Sequence, residues 1–126
     1  MAAAFVAADL FVLPSLFEGT PLTLIQAMMS GLPVVTTSTC GMKDVIENQQ
    51  NGLLVPIRSP QAIVTAIDAL LANPSLRSRL GKAARADARA HYTWDRAAEP
   101  VVRAYETVMR TRSGRATHRV PAIETS

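Results

Sequence analysis

The chain has 126 residues, 48% of them hydrophobic, with thirteen lysines and arginines against ten acidic residues. That length suits one modest domain with a real core, and no apolar run is long enough to span a bilayer. The single cysteine, Cys40, excludes an internal disulfide and favours a reducing, cytoplasmic setting.

The positive charge is concentrated in the second half of the chain. Up to residue 76 there are two basic and five acidic residues, whereas from Arg77 onward there are eleven basic and five acidic ones. Arginine-rich helices with a solvated face explain this distribution, and peripheral contact with an anionic membrane surface is left open. Nucleic acid is not expected as a partner, because basic and aromatic residues are not interleaved. His91 and His118 have no cysteine or histidine nearby at ligand spacing, so no metal site is predicted.

The first predicted elements are a strand and a helix. The apolar start "MAAAFVAADLF" has no basic region before it, so a signal peptide is not expected. The continuous apolar run "LFVL", residues 10–13, predicts a buried parallel strand. A helix is predicted for residues 21–30, with Thr20 as its N-cap, Pro21 at the first helical position and Gly31 just beyond its end.

Two further strands follow in the sequence. The β-branched run "PVVTT", residues 33–37, predicts the second strand, and residues 42–48 predict one or two short helical turns. Asn51 and Gly52 predict a turn into the third strand, "LLVP", residues 53–56.

The remainder is predicted to be helical up to a polar tail. Ser59 caps a helix that ends at Asn73, where the next helix begins. The apolar stripe of the first of these helices comprises Ile63, Ile67, Leu70 and Leu71. Thr93 caps a last helix, which Pro100 should kink. Residues 111–126 are predicted to be a disordered tail.

The order of these elements predicts an α/β fold. Strands alternating with helices, joined by right-handed crossovers, give a parallel sheet with helices on both faces. Only about three strands are evident, whereas a complete doubly wound sheet has five or six. We therefore expect the second half of a doubly wound, Rossmann-like parallel sheet, with long C-terminal helices.

The helix at residues 21–30 has two interpretations. It is apolar almost all round, and its polar residues Thr23, Gln26 and Ser30 form one stripe at spacings of three and four. The first interpretation is a buried helix with one wet edge. The second is a ligand-binding helix, whose start binds a phosphate and whose side binds a sugar.

The predicted position of the helix start supports the second interpretation. Ligands of open parallel sheets gather at the carboxyl ends of the strands, where this helix begins. Gly19 lets a ligand approach the backbone, and the free N–H groups of Leu22 and Thr23 form an anion site. Gln26 lies five residues after Pro21, about 7.5 Å along the axis, a distance that suits a ribose next to a phosphate at the helix start. Glu18, just before the helix, is placed to accept hydrogen bonds from a sugar beyond the phosphates.

The segment "ADLFVLPSLFEGTPLTLIQAMMSGLPVVTT" resembles the donor-binding segment of GT-B glycosyltransferases, in particular the retaining enzymes of family 4, the glycosyl transferases group 1. The shared pattern is an acid, seven residues, a second Glu, then Ala-Met and Gly-x-Pro-Val-Val. "CGMKDVIENQQNGLLVP" and "YTWDRAAEPVVRAYETV" resemble the following segment and the C-terminal helix of that family. The resemblance covers residues 1–110 and implies part of a C-terminal nucleotide-sugar-binding domain.

The resemblance implies a nucleotide diphosphate sugar as donor, with no cofactor and no metal. Glu18 and Gly19 would bind the donor hexose, and Gln26 would bind the ribose. The diphosphate would be held mainly by the backbone of Thr20, Pro21, Leu22 and Thr23. No residue is assigned a catalytic role, because the Arg and Lys with which the family clamps the diphosphate would lie upstream of this sequence.

The chain departs from the family pattern in several places. Gln26 stands where the family has a Glu. An amide can still form hydrogen bonds with both ribose hydroxyls, but these bonds lack the charge-assisted strength that a carboxylate gives. Asp44 stands where Glu is commoner, and Cys40 where Gly is common. We expect Cys40 to be a small buried packing residue, Trp94 to be a core anchor and His91 to be a helix-end residue.

Three functions are compatible with these features. The first is a fragment of a retaining glycosyltransferase that transfers a hexose to a saccharide, a lipid or a cell-envelope glycan precursor. It would work in the cytoplasm or at the inner face of the membrane with an N-terminal GT-B domain as partner, and would be inactive alone. The second is a truncated, non-catalytic nucleotide-binding or interaction module, favoured by Gln26 and the missing half. The third is a nucleotide-sugar epimerase, against which "EGTPLTL" argues.

Overall fold

The computed structural model describes residues 2–115, which form two compact units divided between Tyr92 and Thr93. The elements are α1 (Ala2–Ala7), β1 (Phe11–Leu13), α2 (Leu22–Met29), β2 (Val34–Thr37), α3 (Cys40–Lys43), β3 (Leu53–Val55), α4 (Pro60–Ala72), α5 (Pro74–His91) and α6 (Trp94–Arg115). All except α6 belong to the first unit.

The three strands form one parallel sheet in the order β1-β2-β3. Phe11 of β1 lies opposite Val34 of β2, and Val35 of β2 lies opposite Leu53 of β3. All four residues of the central strand are buried, as expected for a parallel strand covered on both faces. The predicted α/β fold with three parallel strands is confirmed.

The core is divided into two clusters, one on each face of the sheet. Neighbouring residues of a strand point to opposite faces, and Val34 accordingly joins one cluster while Val35 joins the other. The first cluster packs α2 and the segment after β2 against the sheet, with Met28 and Met42 fully buried. The second packs α4 on the other face, and its members are Val35, Val55, Ala66, Leu70 and Leu80.

Helix termini agree with the predicted signals at α4 and α5. The Ser59 hydroxyl accepts from the Ala62 N–H at 3.4 Å, and the Asn73 side chain accepts from the Leu76 N–H at 2.9 Å. The end of α2 is also as predicted, because Gly31 has a φ of +78°. The Leu32 N–H donates to the Ala27 carbonyl, which completes a left-handed turn that favours glycine.

The start of α2 differs from the prediction. The helix begins at Leu22, and its N-cap is Pro21, with φ −75° and ψ 134°, so Thr20 is not the cap. The extended ψ of Pro21 keeps it outside the helix. Proline has no side-chain acceptor, and no side chain caps this helix start.

Other differences concern where apolar residues lie. Helix α1 was not predicted, and it is anchored by Phe5, which packs on the first cluster 5.9 Å from the Phe11 ring. Helix α3 begins at Cys40, two residues before the predicted helical turns. Leu71, placed in the apolar stripe of α4, is 53% exposed, and the stripe is instead completed by Ala66.

The loop between α3 and β3 is closed by a buried amide. Asn51 is 7% exposed, its side-chain N–H groups donate to the Val45 carbonyl and to the Asp87 carboxylate, and its oxygen accepts from the Glu47 N–H. Next to it, the Tyr92 hydroxyl donates to the Asp44 carbonyl at 3.4 Å. Partial burial of the Tyr92 phenol, followed by the nearby carboxylates, raises its pKa above the ordinary value. The loop is therefore tied to α5 by polar contacts.

The second unit contains the long helix α6. The Thr93 hydroxyl accepts from the Arg96 N–H at 3.4 Å, as predicted for a cap, and Pro100 lies inside the helix, where a kink stays a prediction. Trp94 is 81% exposed, so the expectation that it anchors a core is wrong. The helix continues to Arg115, which places the first residues of the predicted tail in a helix, and residues 116–126 lie outside the described residues.

Candidate functional site

The candidate site lies where β1 and β2 end. β1 ends at Leu13 and β2 at Thr37, and because the strands are parallel both carboxyl ends lie at the same edge of the sheet. Residues 14–21 cross that edge to reach the start of α2. This is the edge at which open α/β sheets bind ligands.

Two threonines of the central strand hold the crossing segment. The Thr36 hydroxyl donates to the Leu13 carbonyl at 3.0 Å, and the Thr37 hydroxyl donates to the Ser15 carbonyl. The Ser15 hydroxyl in turn donates to the Glu18 carboxylate at 3.4 Å. Both threonines are almost fully buried, so the segment that carries Glu18 is fixed to the centre of the sheet.

The start of α2 exposes backbone donors. The N–H groups of Leu24 and Ile25 both donate to the Pro21 carbonyl, at 3.1 and 3.4 Å. Leu22 and Thr23 come earlier in the first turn, where an amide has no acceptor within its own helix. Because Pro21 provides no capping side chain, these two N–H groups have no acceptor from a cap, and they lie at the positive end of the helix dipole.

The residues around this start differ in exposure. Gly19, Thr20, Leu22 and Gln26 are exposed, whereas Glu18, Pro21 and Thr23 are half-buried. A Cβ added at Gly19 would meet nothing within 4 Å, so the space in front of that residue is open. The structure therefore places six of the seven predicted donor-site residues in the loop before α2 and in its first turn, and Gln26 one turn further along the helix.

Gln26 lies on the solvent-facing side of α2. Its neighbours Leu24, Ile25, Ala27 and Met28 are buried in the core. The Gln26 carbonyl accepts from the Ser30 hydroxyl at 2.9 Å, and the side-chain amide lies at the surface. Leu22 and Gln26 are one helical turn apart, about 6 Å along the axis. The side-chain amide of Gln26 is therefore within reach of the next part of any ligand that is bound at the helix start.

Other residues singled out in the sequence have different surroundings. Cys40 is exposed, so the expectation of a buried packing residue is wrong, because Cys40 is the first residue of α3 and its helical neighbours Gly41 and Met42 are the buried ones. His91 is the last residue of α5, as predicted. The Nε2 atom of His91 lies 3.5 Å from Oδ1 of Asp87, and the two side chains form an ion pair only when the histidine is protonated.

Within residues 2–115 there is no group of three or more histidine, cysteine, aspartate or glutamate side chains that could hold a metal ion. His118 lies outside the described residues. Over the same range, no helix combines the length and the apolar character needed to cross a bilayer.

The protein family and the relatives that this chain resembles agree with one another. The model of the family "Glycosyl transferases group 1" matches residues 1–87. The phosphatidyl-myo-inositol mannosyltransferase of Mycobacterium leprae is 37% identical over 108 residues, which cover 85% of this chain and 29% of that protein. An uncharacterised glycosyltransferase of Methanocaldococcus jannaschii is 31% identical over 102 residues, 81% of this chain and 26% of that protein.

Solved structures agree with this assignment. Sucrose-phosphate synthase from Thermosynechococcus elongatus superimposes with a TM-score of 0.81 and 30% identity, covering 86% of this chain and 27% of that one. Anabaena HepE, solved with UDP-glucose, shares the fold with a TM-score of 0.69 at 22% identity, over 88% of this chain and 29% of that one. The chain spans about a quarter of the length of the curated relatives it matches. The chain therefore belongs to the glycosyl transferases group 1, a family of GT-B glycosyltransferases.

Proposed function

We propose that this chain provides the donor-binding part of a retaining glycosyltransferase, which transfers a hexose from a nucleotide diphosphate sugar to an acceptor. The observation that carries the proposal is the uncapped start of α2 at the ligand-binding edge of the sheet, with Glu18 before it and Gln26 one turn after it. The named relatives are glycosyltransferases, which favours a transferase over a non-catalytic module.

The donor would lie along the first turn of α2. The diphosphate binds the N–H groups of Leu22 and Thr23, with Thr20 and Pro21 forming the adjacent wall. The ribose lies beside Gln26, whose amide bonds its hydroxyls. The hexose lies on the other side of the phosphates, where Glu18 accepts hydrogen bonds from its hydroxyls and the open space at Gly19 receives the ring.

The same arrangement would assist the reaction. Negative charge develops on the leaving diphosphate when the bond to the hexose breaks, and fixed backbone donors at a helix start stabilise it without reorganising. The helix start therefore takes the place that a metal ion has in other transferases. The acceptor and the retention of configuration depend on an N-terminal GT-B domain, which we propose as the partner.

The acceptor is proposed to be a saccharide, a lipid or a cell-envelope glycan precursor. The relative from Mycobacterium leprae is named for transfer of mannose to phosphatidyl-myo-inositol, which supports a lipid among these. A cytoplasmic position with peripheral contact at the inner face of the membrane is part of the same proposal. The basic residues of α5 are compatible with such contact.

The proposal is tested by calorimetric titration of the chain with UDP-glucose and, separately, with GDP-mannose. We expect one saturable site for at least one of these ligands, and no heat of binding for free glucose or mannose. Absence of binding by both nucleotide sugars at millimolar concentration would refute the donor-binding role.

Gln26→Glu is expected to tighten binding of the preferred nucleotide sugar by about 1 kcal/mol, because a carboxylate accepts stronger hydrogen bonds from ribose hydroxyls than an amide does. The measurement is the calorimetric affinity of the two proteins for the same ligand. Gln61→Glu, at an exposed position in the first turn of α4, is the charge-matched control and should leave the affinity unchanged. Equal or weaker binding by Gln26→Glu would remove Gln26 from the ribose site.

A further inference from the structure

Gly41, the second residue of α3, lies directly behind the loop that carries Glu18. A Cβ added at Gly41 would stand 2.2 Å from the Gly19 carbonyl oxygen, 2.4 Å from the Gly19 carbonyl carbon and 2.8 Å from the Glu18 carbonyl oxygen. Side-chain carbons essentially never approach other atoms so closely. The backbone of α3 is therefore in direct contact with the backbone of residues 14–21, which we call the donor loop.

This contact requires space, not an unusual backbone conformation. Gly31 is the glycine with a left-handed φ, and Gly41 is an ordinary helical residue. Alanine is the better helix former by about 1 kcal/mol at such a position. Glycine at position 41 is thus disfavoured by its helix and is explained by the loop against which it packs.

The donor loop is also held from the sheet. The buried Thr37 donates its hydroxyl to the Ser15 carbonyl, three residues before Glu18. We propose that Gly41 and Thr37 are positioning residues, which together place Glu18 and Gly19 against the hexose of the donor. The inference rests on the donor-binding role proposed above, and neither residue is proposed to touch the substrate.

A side chain at position 41 is expected to weaken binding of the hexose end of the donor and to leave binding of its phosphates unchanged. A side chain at position 41 would displace the loop by about 1 Å or more, because ordinary contact needs that much more distance. Misplacement of a positioned group by about 1 Å can lower a reaction rate by about a hundredfold. For binding, loss of the hydrogen bond between the Glu18 carboxylate and the hexose is expected to lower the affinity by about tenfold or more. Helix α2 is held separately, by Leu24, Ala27 and Met28 in the core, so the phosphate-binding amides stay in place.

Gly41→Ala is the test, and Gly81→Ala is its matched control. A Cβ at Gly81 would stand 2.2 Å from the Gly31 carbonyl oxygen, which is the same clash at the opposite end of α2. Both variants should lose stability, measured by thermal unfolding. We expect only Gly41→Ala to change the ratio of the two affinities, with UDP-glucose binding weakened at least about tenfold and UDP binding changed by less than about twofold.

If Gly41→Ala does not fold, two variants of Thr37 test the same positioning role. Thr37→Val removes the hydroxyl that binds the Ser15 carbonyl and keeps the shape of the side chain, whereas Thr37→Ser keeps the hydroxyl. We expect the ratio of UDP-glucose to UDP affinity to fall in Thr37→Val and to return to the wild-type value in Thr37→Ser. A role in stability alone would weaken binding of both ligands equally, or of neither.

The outcomes separate this inference from the proposed function. If the wild-type chain binds neither UDP-glucose nor GDP-mannose, the donor-binding role fails. If it binds, and the affinity ratio is unchanged in both Gly41→Ala and Thr37→Val, the donor-binding role stands and the positioning role is overturned.

Discussion

Glu18→Ala is expected to weaken binding of UDP-glucose by about 10- to 100-fold and to change binding of UDP by less than about twofold. Loss of a carboxylate that accepts from a sugar hydroxyl costs about 1.5 to 3 kcal/mol. Glu18 lies in the loop before Pro21, whereas Gln26 lies one turn into α2. In the proposed binding mode the phosphates lie between these two residues, so Glu18 would contact the hexose and would be out of reach of the nucleotide.

The measurement is calorimetric titration of both proteins with both ligands. Glu47→Ala is the control, because Glu47 is exposed, makes its side-chain contact with Gln50, and its removal changes the net charge equally. The alternative role of Glu18 is a favourable interaction with the dipole of α2, worth about 0.3 to 1 kcal/mol of stability. A lower melting temperature with unchanged binding, or equal losses for UDP and UDP-glucose, would establish that alternative.

Asn51→Ala is expected to lower the free energy of unfolding by about 2 to 4 kcal/mol. The buried amide makes three hydrogen bonds, at 2.8 to 3.0 Å, and one of them is to the Asp87 carboxylate. Neutral bonds contribute about 1 kcal/mol each and bonds to charged groups more, and partners left buried without water add a penalty. The loop between α3 and β3 would lose its bond to Asp87 of α5, while Arg79 of the same helix would still donate to the Gln49 carbonyl.

Urea unfolding of the variant and the wild type gives this free energy. Asn48→Ala is the matched control, because Asn48 is exposed and its side chain accepts a single backbone bond, from the Leu54 N–H at 2.9 Å. We expect a loss of about 1 kcal/mol or less for that control. A loss for Asn51→Ala no larger than that for Asn48→Ala would show that the buried bonds do not hold the loop.

Local sequence signals predicted much of the fold. Each strand was found from a short apolar or β-branched run. Burial on both faces explains this run for the central strand β2, whereas β1, predicted to be buried, is half-buried because it lies at the edge of the sheet. The caps Ser59 and Asn73 and the left-handed Gly31 were found because a cap or a positive φ depends on the residue itself and its nearest neighbours. The seven donor-site residues were predicted from the order of strand and helix together with the family resemblance, and their binding role stays a prediction.

Features that depend on distant partners were missed. Nothing local distinguishes Gly41, whose need for glycine comes from Gly19, more than twenty residues earlier in the chain. Asn51 was interpreted as an ordinary turn residue, although its side chain is buried against Asp87. The exposure of Cys40 and Trp94 was predicted wrongly for the same reason, because residue type indicates an average burial and not the neighbours of one particular helix.

The proposed diphosphate site consists of the backbone N–H groups at the start of α2. Leu22→Pro removes one of these donors and leaves the helix intact, because proline is favoured at the first helical position. The preceding Pro21, with φ −75° and ψ 134°, already has the extended backbone that a residue before proline adopts.

The calorimetric affinity for UDP of Leu22→Pro, compared with that of Leu22→Ala, is therefore the most direct measurement. Both variants remove the same exposed leucine side chain, and only the proline variant removes the N–H. We expect a loss of about tenfold or more for Leu22→Pro and of less than about twofold for Leu22→Ala. Equal affinities of the two variants for UDP, with both folded, would contradict a diphosphate site at these N–H groups.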